Sequence, residues 1–147
     1  VQLTTFTDYA LRVLISVGTK DDQEPSTIPE IAKQYSISKN HLVKIVHHLS
    51  QTGYLSTTRG KGGGFRLAKS PSDIRIGDVI RDAENHFELV PCFSVNKKGD
   101  CAIEPACVLR RALREAVHAF LDVTDNYTLA DLIRPRRRLQ ALLAVHA

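Results

Sequence analysis

Three cysteines, Cys92, Cys101 and Cys107, stand within sixteen residues of one another, and the rest of the 147-residue chain has none. Core thiols scatter, whereas clustered thiols bind something. Eight residues separate the first two and five separate the second pair. Zinc sites usually show close CxxC pairs or a nearby histidine pair. Neither is present, the nearest histidines being His86 and His118. Wide spacing on a loop suits a larger object with separated corners, and thiolates are the usual ligands of iron–sulfur clusters. Cys107 sits at the start of a predicted helix, where the dipole favours negative charge. Phe87, Leu89, Val90, Pro91 and Phe93 supply an apolar shell. A four-iron cubane would leave one iron without a cysteine. Candidates for that position are Asp8, Glu84, His86, Asp100, Glu104 and His118. Bound zinc and three reduced, unliganded thiols are the competing readings. An odd cysteine count argues against a disulfide framework.

The second group of residues with chemical potential is basic. From Ile31 to Ser72 there is no Asp or Glu, but there are five lysines and two arginines, a local charge of +7 in a chain of net +4. Such a stretch fits a polyanion such as double-stranded DNA. Ser38, Lys39, Asn40 and His41 open a predicted helix. At the N-terminal end of a recognition helix, Lys donates to guanine and Asn pairs with adenine. Lys44, one turn on, suits phosphate. Arg59-Gly60-Lys61-Gly62-Gly63-Gly64 joins two short predicted strands. Gly62 and Gly63 would let the backbone approach DNA, and Arg59 and Lys61 would reach the minor groove or phosphates. Turning alone does not call for four glycines. The spacing is not that of a phosphate loop, which needs GxxxxGK[ST] between strand and helix.

The elements that must position these residues follow from periodicity. Phe6, Tyr9, Ala10, Val13, Leu14 and Val17 recur at helical spacing, with Thr7 as the expected cap. Lys20 to Ser26 reads as a polar loop. Thr27-Ile28-Pro29-Glu30 is a capping-box pattern opening a helix to about Tyr35. Ser36-Ile37-Ser38 is a tight turn, and Ser38 caps a helix from Lys39 to about Gln51. Its buried stripe is expected to be Leu42, Val43, Ile45, Val46 and Leu49, with His47-His48 as a solvated helix end. Gly53 stops it. Tyr54–Thr58 and Phe65–Ala68 are the strands of a wing. Ile76 to about Glu84 is a short helix, and residues 85–105 are irregular, with Pro91, Gly99 and Pro105 as breakers. A structureless loop of that length needs something to hold it. Ala106 to Val123 reads as a long helix with a broad apolar face (Leu109, Ala112, Leu113, Ala116, Val117, Phe120, Leu121), which points to packing on a second subunit. Thr128 caps Leu129–Arg134, ended by Pro135, and the tail beyond is a frayed helix at most.

The predicted fold is therefore mainly α with a small β-hairpin, a winged helix-turn-helix plus a long dimerisation helix. The predicted division is 1–84 as DNA-binding domain, 85–107 as cluster-binding loop, 108–134 as dimerisation helix with a short following helix, and 135–147 as tail. Hydrophobic residues make up 43%, too many for a disordered chain. There is no membrane-spanning stretch, no secretory start and no catalytic constellation. A cytoplasmic, non-enzymatic protein is expected.

Five segments carry a family resemblance: Leu3–Arg12, Asn40–Ile45, Arg59–Leu67, Ile74–Arg81 and Asp125–Leu132. From Gln2 to about Ile133 the chain resembles the bacterial winged-helix iron–sulfur regulators, the family that includes the cluster-biogenesis regulator IscR, and within it the nitric-oxide-sensing repressors. The resemblance implies a homodimer crossed through the long helix and bound to an inverted-repeat operator. It also implies cluster ligation by Cys92, Cys101 and Cys107, with Asp8 of the partner subunit as fourth ligand. IscR-like members use a histidine three residues after the last cysteine, a position held here by Arg110. The first cysteine gap is longer than family members usually show. A [4Fe–4S] cluster is expected over [2Fe–2S], with nitric oxide as signal. The alternatives are a regulator sensing iron or redox status, and a cluster-containing redox protein.

Overall fold

The computed structural model describes all residues except 22, 23, 98, 100 and 147. The first helix, α1 (Thr5–Thr19), buries Ala10, Val13 and Leu14 completely. Its cap is Thr4 rather than Thr7: the Thr4 hydroxyl accepts from the Thr7 backbone N–H at 3.3 Å. Thr7 is itself buried, its hydroxyl 3.1 Å from that of Thr4. Helix α2 (Ile28–Tyr35) begins at the expected capping residues, with Glu30 accepting from the Thr27 N–H at 3.3 Å. The chain then reverses at Ser36, which takes the left-handed conformation (φ 54°). Ser38 caps α3 (Lys39–Gln51), its hydroxyl accepting from the His41 N–H at 3.3 Å.

Leu42, Ile45, Val46 and Leu49 of α3 turn into the core. Val43 does not: it is 52% exposed. Residues 42, 45, 46 and 49 follow the i, i+3, i+4, i+7 rule of one helix face, and position 43 lies a hundred degrees off it. His48 is also not a solvated end. It is half-buried, its ring edge-on to Phe6 at 5.3 Å, while His47 is exposed.

Strands β1 (Leu55–Thr58) and β2 (Gly64–Leu67) pair antiparallel with Leu55 opposite Leu67 and Thr58 opposite Gly64. The wing is fastened to the body because Ser26 and Phe65 exchange both backbone hydrogen bonds at 2.9 Å, so the loop before α2 acts as a third short strand at its root. Three wing glycines have positive φ, and a Cβ at Gly63 would lie 2.3 Å from the Thr58 carbonyl oxygen. The turn itself therefore accounts for the glycines.

Helix α4 (Ile76–Ala83) packs on α1 on one side and on the long helix α5 (Val108–Asp125) on the other. Gly77 is the contact point, since a Cβ there would fall within 1.8 Å of Asp125 Oδ1. Arg81 then grips Asp125 with two hydrogen bonds of 2.6 and 2.7 Å. Between α4 and α5 the chain is irregular, with 3-10 turns at Pro91–Phe93, Val95–Lys97 and Glu104–Ala106. The last of these delays the start of α5 from the expected Ala106 to Val108. Helix α6 (Leu129–Leu132) is capped by Thr128 as expected and pins Leu129, fully buried, into the core.

The tail is an ordered helix, α7 (Arg136–Val145), and Pro135 starts it rather than merely ending α6. It docks on the last turn of α1. Arg136 Nε and Gln140 Nε2 donate to the Thr19 carbonyl at 2.9 and 2.6 Å, and Arg136 also reaches the Lys20 carbonyl. These satisfy carbonyls that a helix C-terminus leaves without partners. Seven helices and one two-stranded antiparallel sheet among the described residues make a winged helix-turn-helix followed by a long helix. None of the described helices is long and apolar enough to cross a membrane.

Candidate functional site: nucleic-acid interface and metal centre

The outward face of α3 carries Lys39, Asn40, Val43, Lys44 and His47, all exposed. Sequence reasoning placed Ser38, Lys39, Asn40, His41 and Lys44 there and missed Val43 by counting it as core. Its methyl groups sit among these polar side chains, and an apolar side chain on a helix in the major groove can match a thymine methyl. His41 is exposed, its ring 6.3 Å from Tyr9. The wing tip brings Arg59, Lys61 and Gly62 to the surface, with Gly63 half-buried beside them. Among the described residues Lys39, Lys44, Arg59 and Lys61 have no carboxylate partner, so their charge is available to an external anion.

Behind this face, Arg12 lies 5.9 Å from the Tyr9 ring centre and 5.8 Å from that of Tyr35. Burial raises the Tyr35 phenol above its ordinary value, and the Arg12 charge partly offsets this. Arg12 also pairs with Asp8 at 2.9 Å, so the Asp8 carboxylate is oriented yet remains half-exposed.

The three cysteines are free thiols; Cys92 and Cys107 are half-buried and Cys101 is exposed. Among the described residues no three Cys, His, Asp or Glu side chains converge tightly enough to hold a single metal ion. A cluster makes a different demand, since its thiolates bind separate irons. What joins the three segments is Arg110. Its backbone N–H donates to Cys107 Sγ at 3.4 Å, so Cys107 caps α5 with sulfur. Its guanidinium donates to the Cys92 carbonyl at 3.1 Å and to Glu104 Oε1 at 2.5 Å. Glu104 in turn accepts from the Gly99 N–H, two residues before Cys101. Arg114 stacks 5.5 Å over Phe93, a second link between α5 and the Cys92 segment.

One donor here has no partner among the described residues: Arg110 Nε, which is buried. Leaving such a group unsatisfied costs about 1–3 kcal/mol. Three thiols on segments tied together by one guanidinium fit a sulfur-rich anionic group. Of the candidates for a further ligand, Glu84 is committed to the Thr4 N–H and hydroxyl at 2.7 and 3.1 Å, and Glu104 to Arg110. His86 and His118 are exposed. Asp100 lies outside the described residues.

Beside the loop runs a groove of about 620 Å³, lined chiefly by Leu3, Phe87, Leu89, Leu113, Val117 and Phe120. No residue of α5 is buried, and Leu109 and Phe120 are among the large apolar side chains it exposes.

The profile of the Rrf2 family, described as an iron-dependent transcriptional regulator, matches residues 3–135. The chain is 50% identical over 143 residues to the HTH-type transcriptional regulator NsrR of Geobacillus kaustophilus, covering 97% of each chain. It is 48% identical to that of Bacillus subtilis over the same length and coverage. Among solved structures, IscR of T. potens superposes with a TM-score of 0.75 at 22% identity over 95% of this chain and 91% of that one, which speaks to the fold.

Proposed function

The chain belongs to the Rrf2 family of iron-dependent transcriptional regulators, and from that membership we propose that it is a homodimeric, cytoplasmic repressor that binds an inverted-repeat operator and would release it on nitrosylation of an iron–sulfur cluster. Cys92, Cys101 and Cys107 would hold the cluster, [4Fe–4S] in preference to [2Fe–2S], with Asp8 of the partner subunit completing it. Bound there, the cluster would supply iron at which nitric oxide reacts. All other parts of the scheme are the work of the chain's own residues.

Lys39, Asn40, His41 and Val43 read base edges in the major groove. Ser38 fixes the start of α3, and Lys44 takes a phosphate. Arg59, Lys61, Gly62 and Gly63 follow the adjacent backbone and minor groove. Two-fold symmetry of the dimer matches the two halves of the operator. The single observation that carries the reading is that α5 touches both ends of the problem. Its first turn is capped by Cys107, and its last residue, Asp125, is gripped by Arg81 of α4, which packs on α1 behind the reading helix. A change in the cysteine loop therefore acts on the element that sets how the DNA-reading heads are spaced.

A coupling of about 1–3 kcal/mol between loop and DNA corresponds to a roughly 5- to 150-fold change in operator affinity. Gel-shift titration of anaerobically purified protein before and after nitric oxide should show such a loss; equal affinities would sink the reading. Cys101→Ala should remove the visible absorbance of the cluster and leave a folded dimer. A sensor of iron or redox status uses the same site, and the family's description as iron-dependent favours that second reading. Iron depletion without nitric oxide would then be enough to release DNA.

A further inference from the structure

Arg110 occupies the first turn of α5 and has no role in the DNA-reading surface, yet it is the most connected residue of the cysteine loop. We propose that Arg110 is the positioning residue of the metal centre: paired with Glu104, it holds the segments bearing all three cysteines in one arrangement. The proposal rests on the cluster reading given above and assigns that site a supporting residue which is not itself a ligand.

Three connections carry it. The Cys107 segment is reached through the Arg110 backbone N–H, 3.4 Å from the sulfur. The Cys92 segment is reached through the guanidinium, 3.1 Å from the carbonyl oxygen. The Cys101 segment is reached through Glu104, whose other oxygen accepts from the Gly99 N–H. The ion pair is shielded, with side-chain exposures of 19% and 11%, so solvent competes little for it. A planar, forked guanidinium serves a carbonyl and a carboxylate at once, which an ammonium does with far less geometric control. One face of the same residue lines a cavity of about 540 Å³ together with Gly99, Cys101, Ala102, Glu104 and Pro105. Among the described residues Nε of this guanidinium has no partner. Side chains that orient metal ligands are as necessary as the ligands, and removing one typically lowers metal affinity roughly 10- to 100-fold.

The test compares wild type with Arg110→Ala, Arg110→Lys and Glu104→Gln, each as the full-length chain checked for fold by circular dichroism and for dimer by sedimentation. In metal-free protein, the rate at which iodoacetamide alkylates each cysteine is followed by mass spectrometry. Cys101 should react first and Cys92 and Cys107 later in wild type, and Arg110→Ala and Glu104→Gln should level the three rates. In protein loaded with ferrous iron and sulfide, iron loss to a chelator should be about 10- to 100-fold faster in both variants. Arg110→Lys, which keeps the charge and loses the fork, should lie nearer to Ala than to wild type. A general loss of stability would speed all three alkylations together; the proposal requires the ordering itself to collapse. If Arg110→Ala does not fold, Glu104→Gln, nearly isosteric, decides alone. Wild-type alkylation order and wild-type iron retention in both variants would overturn the proposal. If wild type takes up no iron, the cluster reading falls, and the alkylation arm still decides whether Arg110 organises the loop.

Discussion

On the proposed function, side chains that read DNA and side chains that only hold it would respond differently to truncation, and the candidates for the two roles lie on different elements, α3 and the wing. Lys39 sits at the exposed start of α3 and Arg59 at the tip of the wing. Lys39→Ala should relax preference at one operator position by about 1–3 kcal/mol. Arg59→Ala should weaken binding to all sequences alike and reduce the salt dependence of log K by about one unit. Competition gel shifts over a set of single-base operator variants, repeated at several salt concentrations, separate the two. The candidates for both roles were legible in the sequence because basic and polar residues stand out against an acid-free stretch. Val43 was not, since a valine next to Leu42 looks like core until the helix is drawn and its neighbour's face is seen to be the buried one. Arg110–Glu104 was equally invisible. The pair spans a 3-10 turn and the start of a helix, and no simple spacing rule covers that junction.

Two carboxylates with measurable protonation fix the elements: Asp125 joins α5 to α4, and Asp131 closes the cap of α6. Asp125 is held below the ordinary carboxylate range by its hydrogen bonds from Arg81, and Asp131 by the Thr128 N–H and hydroxyl. A carboxyl depressed in the folded state contributes stability that is present above its unfolded value of 3.8 and lost as pH falls through the folded one. Asp125→Asn should therefore melt below wild type near neutral pH, with the gap closing as pH drops below about 4. A gap independent of pH would show that the Arg81 contact acts through shape alone. Helices α1 to α6 were legible because their signals are local: an apolar stripe, a capping Ser or Thr, a stopping Gly. The cap of α1 was misplaced by three residues because Thr4, Thr5 and Thr7 all satisfy the same rule. A helix over the tail was readable but its order was not, since the anchors of α7 are the carbonyls of Thr19 and Lys20, more than a hundred residues away in sequence.

For the whole molecule, the uncovered apolar face of α5 is the feature that a lone chain leaves unexplained. The breadth of its apolar stripe was plain in the sequence, but periodicity does not say what lies against it. A second copy crossing there would bury Leu109, Phe120 and Val123, which are 62%, 39% and 58% exposed. Phe120→Glu should shift the protein towards monomer in sedimentation and weaken binding to a full operator far more than to a half-site. Equal assembly of variant and wild type would place the dimer contact elsewhere. The sulfur cap on α5 has its own consequence. A hydroxyl or carboxylate cap is chemically inert, whereas here the atom accepting the first-turn N–H is the Cys107 thiol. Oxidising, alkylating or metallating that sulfur alters the foundation of a rod of eighteen residues, about 27 Å long. A modification at one atom is thereby delivered as a change in anchorage at one end of the rod, while the other end stays clasped to α4.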